Sequence, residues 1–315
     1  MSNTPTLSVI LCTYNNADSL AVTLGQLVQC EVERWSDVEI LVVDNNSPDN
    51  TEEVVRKVSE SSEAQLQYYF EQKQGLSIAR NLGVEKARGE YLLFTDDDAD
   101  IPTNWLSSYL QKIESTQADC LFSKIEVNWD RTPPWWFDQR YNPYFVQLDY
   151  GDSPMEITDI HHEFFGKNFC CRKPVLAAMG GFDEKLGRNG TSLAAGEETI
   201  IYRRLVAMSA KVTYFPDAIV GHRLKPIEYT SRNIEKKFVD GASSSLRIAQ
   251  CFSNNYVLGR PTYPLKMAIK NTVKSLLLIP ISIVPMTKKA KREAFYQTLQ
   301  LKRSVRMIWL WTMTP

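Results

Sequence analysis

This 315-residue chain contains neither a Gly-x-Gly-x-x-Gly nor a Gly-Lys-Ser/Thr phosphate loop. Binding of NAD or ATP through the backbone amides of such glycine-rich turns is therefore not expected. No apolar run reaches the ~18 to 20 residues that a spanning helix needs. The opening Met1-Ser2-Asn3-Thr4-Pro5-Thr6 has no basic region ahead of its first apolar stretch, so no signal peptide is expected. Cys12, Cys30, Cys120, Cys170, Cys171 and Cys251 follow no zinc-like spacing, and several lie in apolar strand-like runs. That pattern reads as buried free thiols in a reducing cytosol. Acid is nearly absent from one end: residues 261–315 hold ten Lys or Arg against Glu293 alone, which leaves 26 basic and 36 acidic residues in 1–260. An acidic body argues against nucleic acid as its main partner, and the basic tail points to an anionic surface.

What is present is the composition of a folded protein, 43% apolar and 23% charged, long enough for one large or two small domains. The feature that organises the rest is Tyr91-Leu92-Leu93-Phe94-Thr95-Asp96-Asp97-Asp98-Ala99-Asp100, an apolar run that stops in three consecutive acids. Opened by Gly89 and closed by Pro102, it reads as a buried strand whose carboxyl end meets solvent. Three adjacent carboxylates repel one another unless a cation or a ring of amide donors offsets them. Oxygen ligands of this kind suit Mg²⁺ or Mn²⁺, whose remaining positions are filled by water and substrate phosphates. A turn with helix-capping Asp ahead of Asn104-Trp105-Leu106 is the plainer reading of the same residues.

Before that strand the chain repeats one unit. Leu7-Ser8-Val9-Ile10-Leu11-Cys12 leads to Thr13-Tyr14-Asn15-Asn16, then to helical spacing over 17–29. Val38-Glu39-Ile40-Leu41-Val42-Val43 leads to Asp44-Asn45-Asn46-Ser47, with Asn50 and Glu53 spaced as a capping box. The residues after Asp44 do not fit a calcium loop, since Pro48, Asp49 and Val55 occupy its ligand, glycine and glutamate positions. Leu66-Gln67-Tyr68-Tyr69-Phe70 leads through Gly75 to a helix over 77–87 that Gly89 can terminate. Alternation of this kind implies a mostly parallel sheet with right-handed crossovers, whose ligands bind at the carboxyl ends of the strands.

Beyond the acids the spacing predicts a helix over 105–113 and a single strand over 118–127. Thr132-Pro133-Pro134-Trp135-Trp136-Phe137 cannot be a central strand, and its aromatics, with those of 141–150, suit either a sugar-stacking rim or a core. His161-His162-Glu163 could bind metal, but neighbouring strand residues point to opposite faces, so both histidines are not expected on one ion. A strand-like run then extends over 164–172. Residues 187–196, rich in Gly, Ser and Asn, read as a mobile loop delivering Glu197 and Glu198 to the start of a helix. Such a pair suits a helix dipole, and with a mobile loop before it also suits a site under a lid. The run 275–286 is proline-interrupted and flanked by lysines, and Leu301 to Trp311 mixes Lys302, Arg303 and Arg306 with Trp309, so the tail reads as interfacial helices on a membrane surface, with docking on the body as the other reading.

Taken together the motifs resemble the inverting, metal-dependent family 2 glycosyltransferases with the GT-A fold. The resemblance rests on residues 8–15, 42–47, 75–83, Asp96-Asp97-Asp98, Gly180-Gly181-Phe182-Asp183-Glu184 and Gly196-Glu197-Glu198, in the family's order over roughly the first 225 residues. It implies an α/β, Rossmann-like, mostly parallel central sheet flanked by helices, with a C-terminal helical extension. Residues 1–100 would be the nucleotide-sugar half, 101–260 the acceptor half, and 261–315 a basic amphipathic helical tail. Thr13, Tyr14, Asn15 and Asp44 would line the base and ribose end of the pocket, with Arg80 near the nucleotide. Asp96 and Asp98 match the Asp-x-Asp pair that holds a metal on the diphosphate; Asp97 can share that task, and Asp98-Ala99-Asp100 also fits the frame. Glu198 falls where the family places its base, usually Asp, which leaves Glu197 a substitute. His222 matches a histidine that can complete the metal site. The implied reaction is inverting transfer from a nucleotide-diphosphate sugar, a UDP-sugar, with Mn²⁺ or Mg²⁺, to a glycan or lipid-linked hydroxyl in cell-surface polysaccharide synthesis. The implied place is the cytoplasm, peripheral on the cytoplasmic face of an anionic membrane. A nucleotidyltransferase is disfavoured by the loop at 13–18, which lacks Gly and Lys; a haloacid-dehalogenase-type phosphatase is disfavoured by Asp100. A non-catalytic sugar-nucleotide-binding protein is disfavoured by intact Asp98 and Glu198.

Overall fold

Strands β1 (Leu7–Thr13) and β2 (Val38–Asp44) are buried at every position. A strand covered on both faces has no solvent side, which is why these segments are continuous apolar runs without alternation. The computed structural model describes residues 4–190, 192–283 and 287–313. With β3 (Gln65–Phe70) and β4 (Tyr91–Asp96), the first strands form a parallel set in the order β3-β2-β1-β4. Helices α1 (Ala17–Leu27), α2 (Thr51–Glu60) and α3 (Leu76–Lys86) make the crossovers. One face of the sheet packs Leu7, Val9 and Leu11 with Leu20 and Leu24; the other packs Ile10 and Cys12 with Ala79. The expected alternation of strand and helix is thus present, and all six cysteines are free.

The next elements are β5 (Ala99–Asp100), α4 (Trp105–Thr116), β6 (Cys120–Phe122), β7 (Ile125–Asn128), β8 (Met155–Glu156) and β9 (Phe169–Arg172). Then come α5 (Lys173–Ala178), α6 (Glu197–Ala207), β10 (Val212–Tyr214) and β11 (Val220–Arg223). The large sheet runs β3-β2-β1-β4-β9-β6-β10-β8, with β9 antiparallel to both neighbours. A small sheet, β5-β11-β7, carries the chain away from the end of β4.

Four local expectations are corrected. The single strand over 118–127 is two strands in different sheets, broken at Ser123 and Lys124, where Asn168 Nδ2 donates to the Lys124 carbonyl at 2.8 Å. The run over 164–172 is a strand only at its end, because the Asn168 amide turns back to the Phe165 carbonyl at 3.2 Å. Asn50 makes no side-chain cap; Asp49 instead accepts from the Thr51 amide and hydroxyl and from the Ala17 amide. Helix α3 ends on Ala87 in an extended conformation, and Gly89 serves a close approach: a Cβ there would stand 2.7 Å from the Ser8 nitrogen.

These elements form one compact unit, made of residues up to 128, 145–184 and 197–223; residues 129–144, 185–196 and those from 224 onward form a second. The second is built on α7 (Ser231–Phe252), a short hairpin of β12 (Tyr256–Val257) and β13 (Arg260–Pro261), α8 (Thr262–Ile283) and α9 (Lys288–Met313). Helix α9 shares a core of Met307 and Trp311 with Ala242 and Leu246 of α7 and Ala268 of α8. The basic tail is therefore two helices packed on α7. Helix α8 continues through Pro280, while the expected proline-interrupted run ends at 284–286, outside the described residues. The proline-aromatic stretch is core: Trp136 is buried against Tyr141 and Phe295, Tyr141 also meets Phe238 and Tyr296, and Trp135 is exposed, at 57%. Residues 193 and 195, in the loop expected to be mobile, donate their amides to Asp240 and Ser244 of α7. Met1 to Asn3 and Thr191 lie outside the described residues.

Candidate active site

The acid triplet begins on the last residue of β4, where a parallel strand ends between neighbours and its backbone turns into β5. The three side chains diverge. Asp97 turns to the first loop, accepting from Thr13 Oγ1 and Asn16 Nδ2, both at 2.7 Å. Its carbonyl accepts from Ser19 and Thr23 of α1 at 2.9 Å, which ties the acid turn to that helix. Asp96 and Asp98 turn the other way and share one cation, the ammonium of Lys167. It lies 3.3 Å from Asp96 Oδ2 and in direct contact with Asp98 Oδ1. Asp100, the alternative partner in the frame, is held by Arg223 and Asn128. The pair that faces a common charge is therefore Asp96 and Asp98.

Lys167 is only 1% exposed. It is placed by its neighbour Asn168, whose amide oxygen accepts from Trp105 Nε1 and Tyr109 OH and whose amide nitrogen donates to the carbonyls of Lys124 and Ala218. A buried side-chain amide with every group engaged fixes the backbone beside it. Burial alone would push the Asp98 carboxyl up, but the Lys167 ammonium and the adjacent His222 hold it well below the usual carboxylate range. Sequence reasoning missed Lys167. The available signal was a lone lysine inside a long apolar run, since buried lysines are nearly always paired.

His222 sits on β11, in register with Ala99, so the small sheet brings it to the acids. Its Nδ1 is 2.7 Å from the Phe145 carbonyl, which can only accept, so Nδ1 carries a proton, and Nε2 lies 3.5 Å from Asp98 Oδ2. A histidine that donates one nitrogen to a carbonyl and presents the other to a carboxylate has the outer-shell support typical of metal-binding imidazoles. Two carboxylates and such an imidazole are in kind a fitting donor set for Mn²⁺ or Mg²⁺. As arranged, no group of three His, Cys, Asp or Glu side chains among the described residues is disposed to hold a metal ion. The Lys167 ammonium stands between the two Asp carboxylates.

The second centre is at the start of α6. Arg80 of α3, 3% exposed, donates Nη1 to Glu197 Oε1 at 3.0 Å and to Glu198 Oε1 at 2.9 Å, and its Nη2 lies 3.4 Å from Asp96 Oδ1. Arg80 therefore joins Asp96 at the end of β4 to the glutamates on α6. The Gly166 amide adds a bond to Glu198 Oε1 at 3.0 Å, and any Cβ at Gly166 would collide with Arg80 and Glu198. Both bonds fall on Oε1. Glu197 is only 2% exposed and Glu198 12%, so of the two it is Glu198 that approaches solvent.

A further carboxylate, Glu163, accepts from Thr199 Oγ1 at 2.8 Å next to Glu198 on the same helix. Burial pushes its pKa up, against the opposing pull of Thr199 and Arg203. Its neighbours His161 and His162 go elsewhere: the His161 amide closes a turn on Asp159, and the His162 ring packs on Tyr150.

At the other end of the site, Thr13 is buried and Tyr14, one residue on, is exposed. Asn15 takes a left-handed conformation with its amide on Ser47 Oγ. Asp44 is buried, with Oδ1 accepting the Ser47 amide and Oδ2 the Tyr68 hydroxyl, both at 2.8 Å. Asn45, which the sequence reading passed over, locks the entry to α3 by accepting the Gly75 amide at 2.7 Å and donating to the Glu71 and Lys73 carbonyls. Cys12 pairs in register with Asp96, and burial pushes its thiol up to about 12.

Comparison with known proteins bears on this edge of the sheet. The sequence model described as Glycosyl transferase family 2 matches residues 8–177, more than half of the chain. A GalNAc(5)-diNAcBac-PP-undecaprenol beta-1,3-glucosyltransferase of Campylobacter jejuni is 32% identical over 126 residues, 38% of this chain and 40% of that one. The chain spans between 40% and 65% of the first curated relatives it matches. Among solved structures, TarS 1–349 of S. aureus with UDP-GlcNAc superposes with a TM-score of 0.57 at 18% identity, over 95% of this chain and 91% of that one. The mannosyltransferase PcManGT of Pyrobaculum calidifontis, with GDP-Man and Mn²⁺, gives 0.64 at 16% identity, over 97% and 87%. At those identities the likeness is one of fold.

Proposed function

Since this chain belongs to glycosyl transferase family 2, we propose that it moves a sugar from a nucleotide-diphosphate sugar, a UDP-sugar, to a hydroxyl of a glycan or lipid-linked acceptor, with inversion, in cell-surface polysaccharide synthesis. The observation that carries this reading is the Arg80 bridge, which keeps Asp96 at the end of β4 and Glu198 at the start of α6 on one guanidinium. Inverting transfer needs those two functions close together: a base for the acceptor hydroxyl and charge compensation for the leaving diphosphate. The undecaprenol-linked substrate in the name of the Campylobacter relative and the UDP-GlcNAc in TarS support the acceptor and donor classes.

In the proposed reaction Glu198 Oε2 takes the proton of the acceptor hydroxyl as its oxygen bonds to the anomeric carbon from the face opposite the leaving group. The bond from that carbon to the diphosphate oxygen breaks, and its electron pair leaves with the diphosphate. Arg80 and the Gly166 amide keep Glu198 oriented through Oε1. Asp97 keeps the first loop, with Thr13, Tyr14 and Asn15, against the acid turn at the nucleotide end, where Asp44 is also placed. Asp96, Asp98 and His222 are the residues that would hold Mn²⁺ or Mg²⁺, which when bound supplies positive charge to the departing diphosphate. The division into a nucleotide half over 1–100 and an acceptor half over 101–260 belongs to the same proposal.

The tail over 261–315 is proposed to contact an anionic membrane peripherally, on the cytoplasmic face. On α8, Tyr263, Ile269, Val273, Leu276 and Leu277 are exposed beside Lys266, Lys270 and Lys274. No helix among the described residues is long and apolar enough to cross a membrane. The deciding experiment is a panel of nucleotide sugars assayed for donor hydrolysis and thermal stabilisation, followed by transfer assays with the best donor. No stabilisation and no hydrolysis by any sugar nucleotide, with or without Mn²⁺, would overturn the assignment.

A further inference from the structure

The two acids that a metal would neutralise, Asp96 and Asp98, are already matched by cations of the chain itself. The Lys167 ammonium is in contact with Asp98 and 3.3 Å from Asp96, it is 1% exposed, and Asn168 pins the backbone that carries it. Arg80 supplies a second positive charge to Asp96 from the other side. A divalent ion entering between these carboxylates would meet an ammonium at contact distance, and such repulsion is large in a partly desolvated site.

We propose that Lys167 is the resident counter-ion of Asp96 and Asp98, competing with a divalent metal for their oxygens, so that metal is taken up with the nucleoside diphosphate rather than ahead of it. The diphosphate brings two kinds of compensation at once: negative charge that offsets the added cation, and acceptor oxygens for the displaced ammonium. Without nucleotide the acids stay paired with Lys167. This inference rests on the reading of the site as one for a nucleotide sugar, but its central measurement uses no nucleotide.

The test is Mn²⁺ titration, by calorimetry and by electron paramagnetic resonance of the free ion, on the full chain and on Lys167→Met, first without and then with UDP. The expected result is Mn²⁺ binding about tenfold or more tighter in Lys167→Met without UDP, the least that removing a unit charge at contact should give. A smaller enhancement of Mn²⁺ binding by UDP in the variant than in the wild type is expected alongside it. Lys167→Arg, which keeps the charge, should not show the gain. Should the Met variant not fold, Lys167→Gln retains a donor toward Asp98 and is read in the same way. Mn²⁺ affinity that is unchanged or weaker in a folded Lys167→Met or Lys167→Gln overturns the proposal. Failure of the wild type to bind any sugar nucleotide, with the Mn²⁺ gain still present in the variant, would refute the functional reading and leave the Lys167 competition standing.

Discussion

The two compact units differ in how much charge they bury. In the first, carboxylates and cations are taken inside and matched: Asp96 and Asp98 by Lys167, Glu197 and Glu198 by Arg80, Glu39 by Ser8 and Arg88. In the second, the interior is mostly rings and aliphatic chains, such as Trp136 against Tyr141 and Met307 beside Trp311, with Glu228 and Lys237 as a buried ion pair at 2.7 Å, while Lys266, Lys270 and Lys274 stay exposed. Buried charges are costly unless matched, so where they accumulate the chain is arranged for chemistry; exposed charges of one sign are cheap and serve association.

The sharpest way to break this contrast is at Glu198. Glu198→Gln should lower transfer by about 10²- to 10⁴-fold while leaving sugar-nucleotide affinity nearly unchanged, as checked by turnover and calorimetry. Full activity in that variant would move the base elsewhere, with Glu197 and Glu163 next in line. Asp98→Ala should in addition abolish metal-dependent nucleotide binding.

Next in size is Lys167→Met, which leaves Asp98 buried beside an apolar group and should cost about 3 to 5 kcal/mol in denaturant unfolding. A loss below about 1 kcal/mol would show that the first unit does not depend on matched interior charge.

Glu39 sharpens the comparison through pH. Its burial would raise the carboxyl pKa, but the bonds from Ser8 and Arg88 outweigh this and lower it below the ordinary value of 4.5. A depressed carboxylate contributes stability above its unfolded pKa and loses it as pH falls through the folded one. Glu39→Gln should therefore cost about 1.5 to 3 kcal/mol at neutral pH. The gap between wild type and variant should close as pH falls below 4.5, read from unfolding curves across pH. A gap that does not vary with pH would contradict the assigned role.

The smallest expected effect lies on the second unit. Changing Lys266, Lys270 and Lys274 together to Glu should alter stability by no more than about 0.5 kcal/mol. The same variant should lose sedimentation with anionic liposomes. Unchanged sedimentation would remove the membrane contact while leaving the packing of α8 and α9 as described.

Much of the first unit could be read in the sequence because parallel strands covered on both faces have to be apolar throughout, and 7–12, 38–43 and 91–95 are. The end of β4 was equally legible, since an apolar strand running into three acids marks where backbone leaves the sheet. The path of 118–128 was not, because its break is held by Asn168, 44 residues away, whose side-chain amide donates to the Lys124 carbonyl. The aromatics of 135–141 carried no sign of whether they faced sugar or core; their partners, Phe238 and Tyr296, come from helices far along the chain.

Local chemistry by itself thus determined the alternation of strand and helix, the parallel half of the sheet and the edge at which the carboxylates gather. Only the tertiary structure decided what faces them. Strand β9 runs antiparallel between β4 and β6, the residues just before it carry Lys167 to Asp96 and Asp98, and the pairing of β11 with β5 sets His222 opposite Ala99. In strands covered on both faces, an apolar run reports that residues are covered and leaves strand direction and register open. Those two properties choose the partner of each buried charge.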